Sequence, residues 1–361
     1  MGQRVELPAL IDLHVHLRGM HWSHKGDFLS ETQAAVAGGY WLVCDMPNTP
    51  PETISPDALA VKQADMAAQA VCDYGIYFGA SSVDNTAAYS MVGVEVAGLK
   101  MYCNETTGDL LIADQAVRER HFAAWDFDKP ILVHAEGETV AEILALMRRY
   151  RRRTHFVHIS TAFEIDLLRA AKAEGLPVTL GVCPHHLWLT TDDLPRLGAF
   201  GRMKPGLKSP ADREALWDAI ADGTVDVVES DHAPHTVAEK RSDRPPYGVP
   251  GLPTTVPLML TAVGEGRLSL ERAIDLMSEG PARVLGVERP QDSGCVVDLD
   301  APWVIDGTRL PGRCGWSPYD GMRVTARVKE TFIRGNTVYE GGRVVALPGA
   351  GRGVWPQLAD A

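Results

Sequence analysis

Short apolar runs recur along the chain with room for a helix between successive runs. They cover residues 9–15, 41–46, 74–79, 96–102, 131–134, 154–158, 178–183 and 225–230, each of strand length and bounded by Gly, Pro, Asp or Asn. The stretches 28–36, 56–70, 141–151, 162–173 and 210–220 between them carry helical spacing. Strand and helix alternating about eight times over roughly 280 residues predict a parallel sheet closed into a (β/α)₈ barrel of the TIM type. Beyond residue 287 the texture changes to short alternating segments at 295–299, 324–328 and 331–333, broken by Pro and Gly, which predict a small β appendage. The chain therefore divides into a barrel over 9–286 and a small β subdomain with a C-terminal tail over 287–361, which residues 1–8 join.

Composition narrows the function. With 361 residues, 45% hydrophobic and 23% charged, the chain has ordinary globular usage. Lys+Arg 35 against Asp+Glu 47 gives a net charge of -12, the wrong sign for tracking a phosphate backbone or an anionic leaflet, so nucleic acid and membrane surfaces are excluded as partners. No apolar run approaches the ~20 residues of a bilayer span, and the start lacks the pattern of a signal peptide, so a cytoplasmic protein is expected. The six cysteines are scattered singly without a CxxC, which fits reduced thiols better than disulfides or a thiolate zinc site. Four arginines within 149–153 read as a solvated helix end.

The histidines carry the chemistry. His14 and His16 follow the first apolar run, and residues i and i+2 of a strand project to one face, so the pair makes half a metal site. Alone, an HxH is equally a pair of core or surface histidines. His134, His158 and Asp231 close three other runs, and a barrel builds its active site at that carboxyl end. Agreement among separate strands favours a metal centre over unrelated core histidines. Lys100 ends the run 96–100; a snorkelling surface lysine is the plain reading. Beside divalent cations its pKa would fall, and the neutral amine could take up carbon dioxide as a carbamate that bridges two metals.

Six segments, taken in order, resemble a dihydroorotase of the amidohydrolase superfamily. They are Asp12-Leu13-His14-Val15-His16-Leu17-Arg18, Asp45-Met46-Pro47-Asn48-Thr49, Gly98-Leu99-Lys100-Met101-Tyr102, Val133-His134-Ala135-Glu136, Cys183-Pro184-His185-His186-Leu187 and Ser230-Asp231-His232-Ala233-Pro234-His235. The likeness runs almost end to end and is strongest to the dihydroorotase domain of the multifunctional pyrimidine-synthesis protein of animals, including Asn104-Glu105-Thr106 and Trp355-Pro356. The resemblance implies two zinc ions bridged by a hydroxide, one held by His14, His16, Lys100 and Asp231, the other by Lys100, His134 and His158, with Lys100 carboxylated. It implies that Asp231 shuttles the proton and that Arg18, Asn48 and His235 hold the substrate carboxylate. It also implies a mobile loop over 104–109 with Thr106 as contact, a place near the carboxylate for Lys204, and a backbone contribution from Tyr247. The implied reaction is reversible hydrolysis of (S)-dihydroorotate to N-carbamoyl-L-aspartate in pyrimidine biosynthesis. Rival readings are another cyclic-amide hydrolase, of hydantoinase or allantoinase type, and an inactive scaffold for aspartate transcarbamoylase. A homodimer and a complex with that transcarbamoylase are expectations from the resemblance alone.

Two departures stand out. Arg18 is followed by Gly19-Met20-His21-Trp22 where relatives have an acidic residue, Pro and Gly, so the first loop should differ in shape. Val157 and Gly181 stand where the animal relative has Cys and Glu as extra ligands, so two metals and no third are expected. His185 and His186 are read as structural and His232 as support for its loop, while His21, His24, His121 and His155 have no assigned role.

Overall fold

The computed structural model describes residues 3–355; Met1, Gly2 and residues 356–361, and with them Pro356 of the C-terminal motif, lie outside the described residues. After a first strand, β1 (Arg4–Pro8), come the eight strands that the apolar runs predict. They are β2 (Leu10–Val15), β3 (Tyr40–Asp45), β4 (Asp73–Gly79), β5 (Gly98–Tyr102), β6 (Ile131–His134), β7 (Thr154–Phe156), β8 (Val178–Val182) and β9 (Val227–Val228). They pair in chain order, every pair parallel. Nearly every strand residue is buried, as strands packed on both faces require. The ring closes where Val15 bridges to His232, and the His16 N–H donates to the His232 carbonyl at 2.7 Å.

Helix starts follow local chemistry. Asp27, Thr161 and Ser209 cap the helices Phe28–Ala37, Ala162–Ala173 and Pro210–Ala221 with reciprocal capping boxes, and Ser55 with Pro56 starts Pro56–Gln69. The helix Glu138–Tyr150 ends with Arg151 in the left-handed region, and Arg149, Arg152 and Arg153 pair with Glu119, Asp126 and Asp128. The helix Leu252–Gly264 carries no clean spacing because it is buried on nearly every side and holds Pro257 inside.

The strands expected over 154–158 and 225–230 are shorter than their apolar runs. His158 and Asp231 instead occupy left-handed backbone (φ 42 and 45) just beyond β7 and β9. The appendage comprises β10 (Gly294–Asp298), β11 (Trp303–Val304), β12 (Arg323–Val324), β13 (Arg327–Ile333), β14 (Asn336–Glu340) and β15 (Arg343–Val344). An antiparallel sheet runs in the order β1-β10-β13-β14-β15, while β11 pairs with β12. The expected segments 324–328 and 331–333 are divided differently, with 327–333 one continuous strand. Its buried Thr331 hydroxyl donates to the Val36 carbonyl at 2.6 Å and docks the strand on the barrel. A cavity of about 520 Å³ lined by Ala37, Pro257, Trp303, Arg327 and Tyr339 holds no histidine and one carboxylate, Asp306, so it has no donor set for a metal.

Candidate active site

Alternation along β2 sends His14 and His16 inward, their rings 5.5 Å apart. Their Nε2 atoms lie 3.3 and 3.2 Å from one oxygen of Asp231. The His158 ring is 5.2 Å from that of His14 and 4.5 Å from that of His134. Four imidazoles and a carboxylate from the ends of four strands thus converge, all buried. Burial, with nearby cations including Lys100 adding to it, pushes all four imidazoles below their ordinary pKa, His14 to about 4. Neutral imidazole is the form that binds a metal. Lys100 on β5 is fully buried, its Nζ has no hydrogen-bond partner among the described residues, and burial lowers its pKa to about 8. An amine without an acceptor, set among neutral imidazoles and a carboxylate, fits a divalent cation with nitrogen and oxygen ligands. His14, His16 and Asp231 form one compact ligand-type group; Cys183, His185 and His186 form another. In that second group burial holds the Cys183 thiol well above its ordinary pKa, and the His186 ring nitrogen Nε2 lies 3.0 Å from the Pro205 carbonyl, in line with the structural role expected of it, whereas neither ring nitrogen of His185 has a hydrogen-bond partner among the described residues.

The cleft above these groups is lined by Arg18, Asn48, Tyr102, Thr106, Thr107, Lys204 and Tyr247. Asp45 accepts the Leu17 N–H at 2.7 Å and pairs with buried Lys62, which fixes the turn that places Arg18 at φ 64. Arg18 Nε donates to the Pro234 carbonyl at 3.1 Å and one terminal nitrogen lies 3.1 Å from His235 Nε2, while the other has no partner among the described residues. That leaves N–H donors for an anion. His235 stands behind Arg18 and does not line the cleft; burial, then the Arg18 charge, pushes its pKa down to about 3. Asn48 joins His16 Nδ1 at 2.8 Å to the loop over 104–109, donating to the Thr107 carbonyl at 2.8 Å. Thr107, more than Thr106, latches this loop, since its hydroxyl donates to the Tyr247 carbonyl at 3.0 Å. Lys204 lies 5.4 Å from the Tyr247 ring. The divergent first loop sets the Trp22 ring 5.4 Å from the Arg18 guanidinium and 4.4 Å from Lys25, which pairs with Glu239 at 2.9 Å.

Metal-type ligands at the carboxyl end of a (β/α)₈ barrel agree with the comparison to known sequences, in which the amidohydrolase family pattern matches residues 5–293. The chain belongs to the amidohydrolase family. This amidohydrolase is 41% identical over 355 residues to the multifunctional protein CAD of Squalus acanthias, covering 98% of its own length and 16% of that protein. To a protein of Halobacterium salinarum named dihydroorotase it is 38% identical over 379 residues, covering 95% of this chain and 88% of that one. Among solved structures, the L-hydantoinase of Arthrobacter aurescens superposes with a TM-score of 0.93 at 26% identity, covering 98% and 89% of the two chains. An inactive dihydroorotase-like domain of the Chaetomium thermophilum CAD-like multifunctional protein superposes at 0.83, also at 26% identity, covering 98% and 99%.

Two residues of this amidohydrolase escaped the sequence reading. Tyr102 lines the cleft, and its buried hydroxyl has no hydrogen-bond partner among the described residues. It lies two residues beyond Lys100 on one strand, and that spacing could have flagged it. Glu229, two residues before Asp231, is fully buried against the histidines. Burial acts to raise its pKa, but His14 and His155 outweigh that and hold the carboxyl below its ordinary value. For Asp231 burial prevails and the carboxyl is raised.

Proposed function

We propose that this amidohydrolase is a dihydroorotase that interconverts (S)-dihydroorotate and N-carbamoyl-L-aspartate in pyrimidine biosynthesis. The observation that carries the reading is buried Arg18, with one terminal nitrogen that has no partner among the described residues, beside the histidine cluster. Dihydroorotate has a carboxylate for that guanidinium, whereas hydantoin and allantoin rings have none. Relatives named dihydroorotase and CAD at 38% and 41% identity support it, and the L-hydantoinase fits as a more distant family member. Inactivity of a structural neighbour makes the scaffold reading worth testing; retention of His14, His16, Lys100, His134, His158 and Asp231 in one cluster argues against it.

The proposed metal ligands are His14, His16, Lys100 and Asp231 for one zinc and Lys100, His134 and His158 for the other, with Lys100 carboxylated. When bound, the cations supply an acidified water and polarise the ring carbonyl. Asp231 takes the proton from the attacking water and delivers it to the leaving ring nitrogen. Arg18 grips the substrate carboxylate, backed by His235, while Asn48 holds His16 and the loop together. Thr106, Lys204 and Tyr247 complete the enclosure. The proposal places catalysis in 9–286 and gives 287–361, with 1–8, a covering role. It extends to a cytoplasmic homodimer that docks on aspartate transcarbamoylase, which light scattering with and without that enzyme tests.

The deciding experiment is turnover of L-dihydroorotate beside hydantoin and allantoin, with and without a chelator. Chelator-sensitive turnover of dihydroorotate alone is the expected result. Turnover of hydantoin or allantoin instead overturns the substrate, and no turnover by fully metal-loaded protein favours the scaffold.

A further inference from the structure

Glu229 occupies a volume that a neighbouring strand leaves open. β8 and β9 pair side by side, with Gly181 opposite Val227. A Cβ on Gly181 would lie 2.6 Å from Glu229 Oε1 and 2.7 Å from its Cδ, so the carboxylate fills the space where any side chain at 181 would stand. From there it reaches three histidine residues. Its Oε1 accepts the His158 backbone N–H at 2.5 Å and lies 3.7 Å from His14 Nδ1; its Oε2 lies 3.5 Å from His155 Nε2. His155 is held in turn by Thr179 at 2.9 Å.

Two consequences follow from this geometry. His158 sits at φ 42, a conformation that a non-glycine residue adopts only when its surroundings hold it there, and the bond to Glu229 pins that turn. His14 Nδ1 has no hydrogen-bond partner among the described residues, and the buried Glu229 carboxylate at 3.7 Å would hold a proton there once a cation takes Nε2. Asp231 at 3.3 Å from Nε2 competes for that proton, so the Nε2 lone pair is free only when a cation stands between the two.

We infer that Glu229 is the positioning residue of the metal centre, orienting His14 through its outer nitrogen and His158 through its backbone. The inference rests on the metal-centre reading above. A carboxylate behind a histidine ligand raises ligand basicity and fixes the ring, and losing such a partner typically weakens metal binding about 10- to 100-fold. Here one carboxylate serves a proposed ligand of each metal. It also makes residues 181 and 229 mutually exclusive sites for a side chain.

The test is competition between metal-depleted protein and a chromophoric chelator for Zn²⁺, with the melting temperature of the metal-free form recorded for each variant. Glu229→Ala should weaken zinc binding about 10- to 100-fold. Glu229→Gln, which keeps the volume and an acceptor for His158 but no charge, should fall between it and the parent. Gly181→Ala, whose Cβ would stand 2.6 Å from Glu229 Oε1, should push the carboxylate aside and weaken zinc binding in the same direction. Unchanged zinc affinity in both Glu229 variants overturns the inference and leaves the metal centre standing. Parental zinc affinity in Glu229→Gln, with loss only in Glu229→Ala and matched there by lowered metal-free melting, makes Glu229 merely structural and also overturns it. A parent protein that binds no zinc overturns the metal-centre reading itself.

Discussion

Arg18 combines full burial, a left-handed backbone and a free donor, and burial lowers even its guanidinium pKa to about 10. It remains a cation at neutral pH. Arg18→Met should lower kcat/KM for dihydroorotate by about 30- to 5,000-fold, since truncating one partner of a buried charge pair costs about 2–5 kcal/mol. Steady-state kinetics beside the melting temperature checks this; unchanged turnover would remove Arg18 from the carboxylate pocket. Asp231→Asn keeps the volume but not the proton acceptor, and kcat should fall about 10²- to 10⁴-fold. Measuring bound metal in the same variant separates lost proton transfer from lost ligation. At this scale the sequence pointed to residue types that chemistry demands, such as histidines at strand ends. It did not expose Glu229, because a lone acidic residue in an apolar run shows no partner until β8 and β9 lie together.

Among the elements, the loops over the cleft depend on buried side chains remote from the motifs. Lys240 is fully buried and donates to the carbonyls of Arg202, Pro246 and Gly248 at 2.9, 3.0 and 2.9 Å, tying down the turn that carries Tyr247. Burial pushes its pKa down to about 7, yet three acceptors match the three N–H bonds of the ammonium and favour the charged form. Lys240→Met removes all three bonds; the Arg202 carbonyl keeps the Gly248 N–H at 3.1 Å while those of Pro246 and Gly248 lose this donor, so a loss of about 2 kcal/mol is expected. The variant should also raise KM for dihydroorotate by releasing Tyr247 from Thr107. Denaturant unfolding with steady-state kinetics reads both. Strands and capped helices were legible because burial and capping are local properties. The short ends of β7 and β9 were not, since an apolar run does not reveal where a backbone turns left-handed.

For the whole molecule the sign of the pH dependence follows from the reaction. Ring opening of dihydroorotate creates a second carboxylate and releases a proton, so each unit rise in pH shifts the equilibrium about tenfold toward N-carbamoyl-L-aspartate. Ring closure should dominate at low pH and hydrolysis at high pH, measured by approach to equilibrium from both sides; a ratio independent of pH would reject the reaction. The cysteines give an independent check. All six are buried, with burial raising Cys103, Cys295 and Cys314 to about 12 and Cys72 and Cys183 well above normal. Native protein should react negligibly with a disulfide reagent while denatured protein titrates six thiols. A rapidly reacting native thiol would contradict this packing.

Hydrophobic period, capping chemistry and motif order are written along the chain, and the barrel, the appendage and the ligand-type residues follow from them. The sequence placed His14, His16, Lys100, His134, His158 and Asp231 at the carboxyl ends of the strands before any contact was known. Only the tertiary structure decided that His235 stands behind Arg18, that Thr107 latches the loop, and that Glu229 fills the space beside Gly181. These are relations between residues far apart in sequence. Their geometry is set when the ring closes between Val15 and His232 and burial forces each polar group to find a partner.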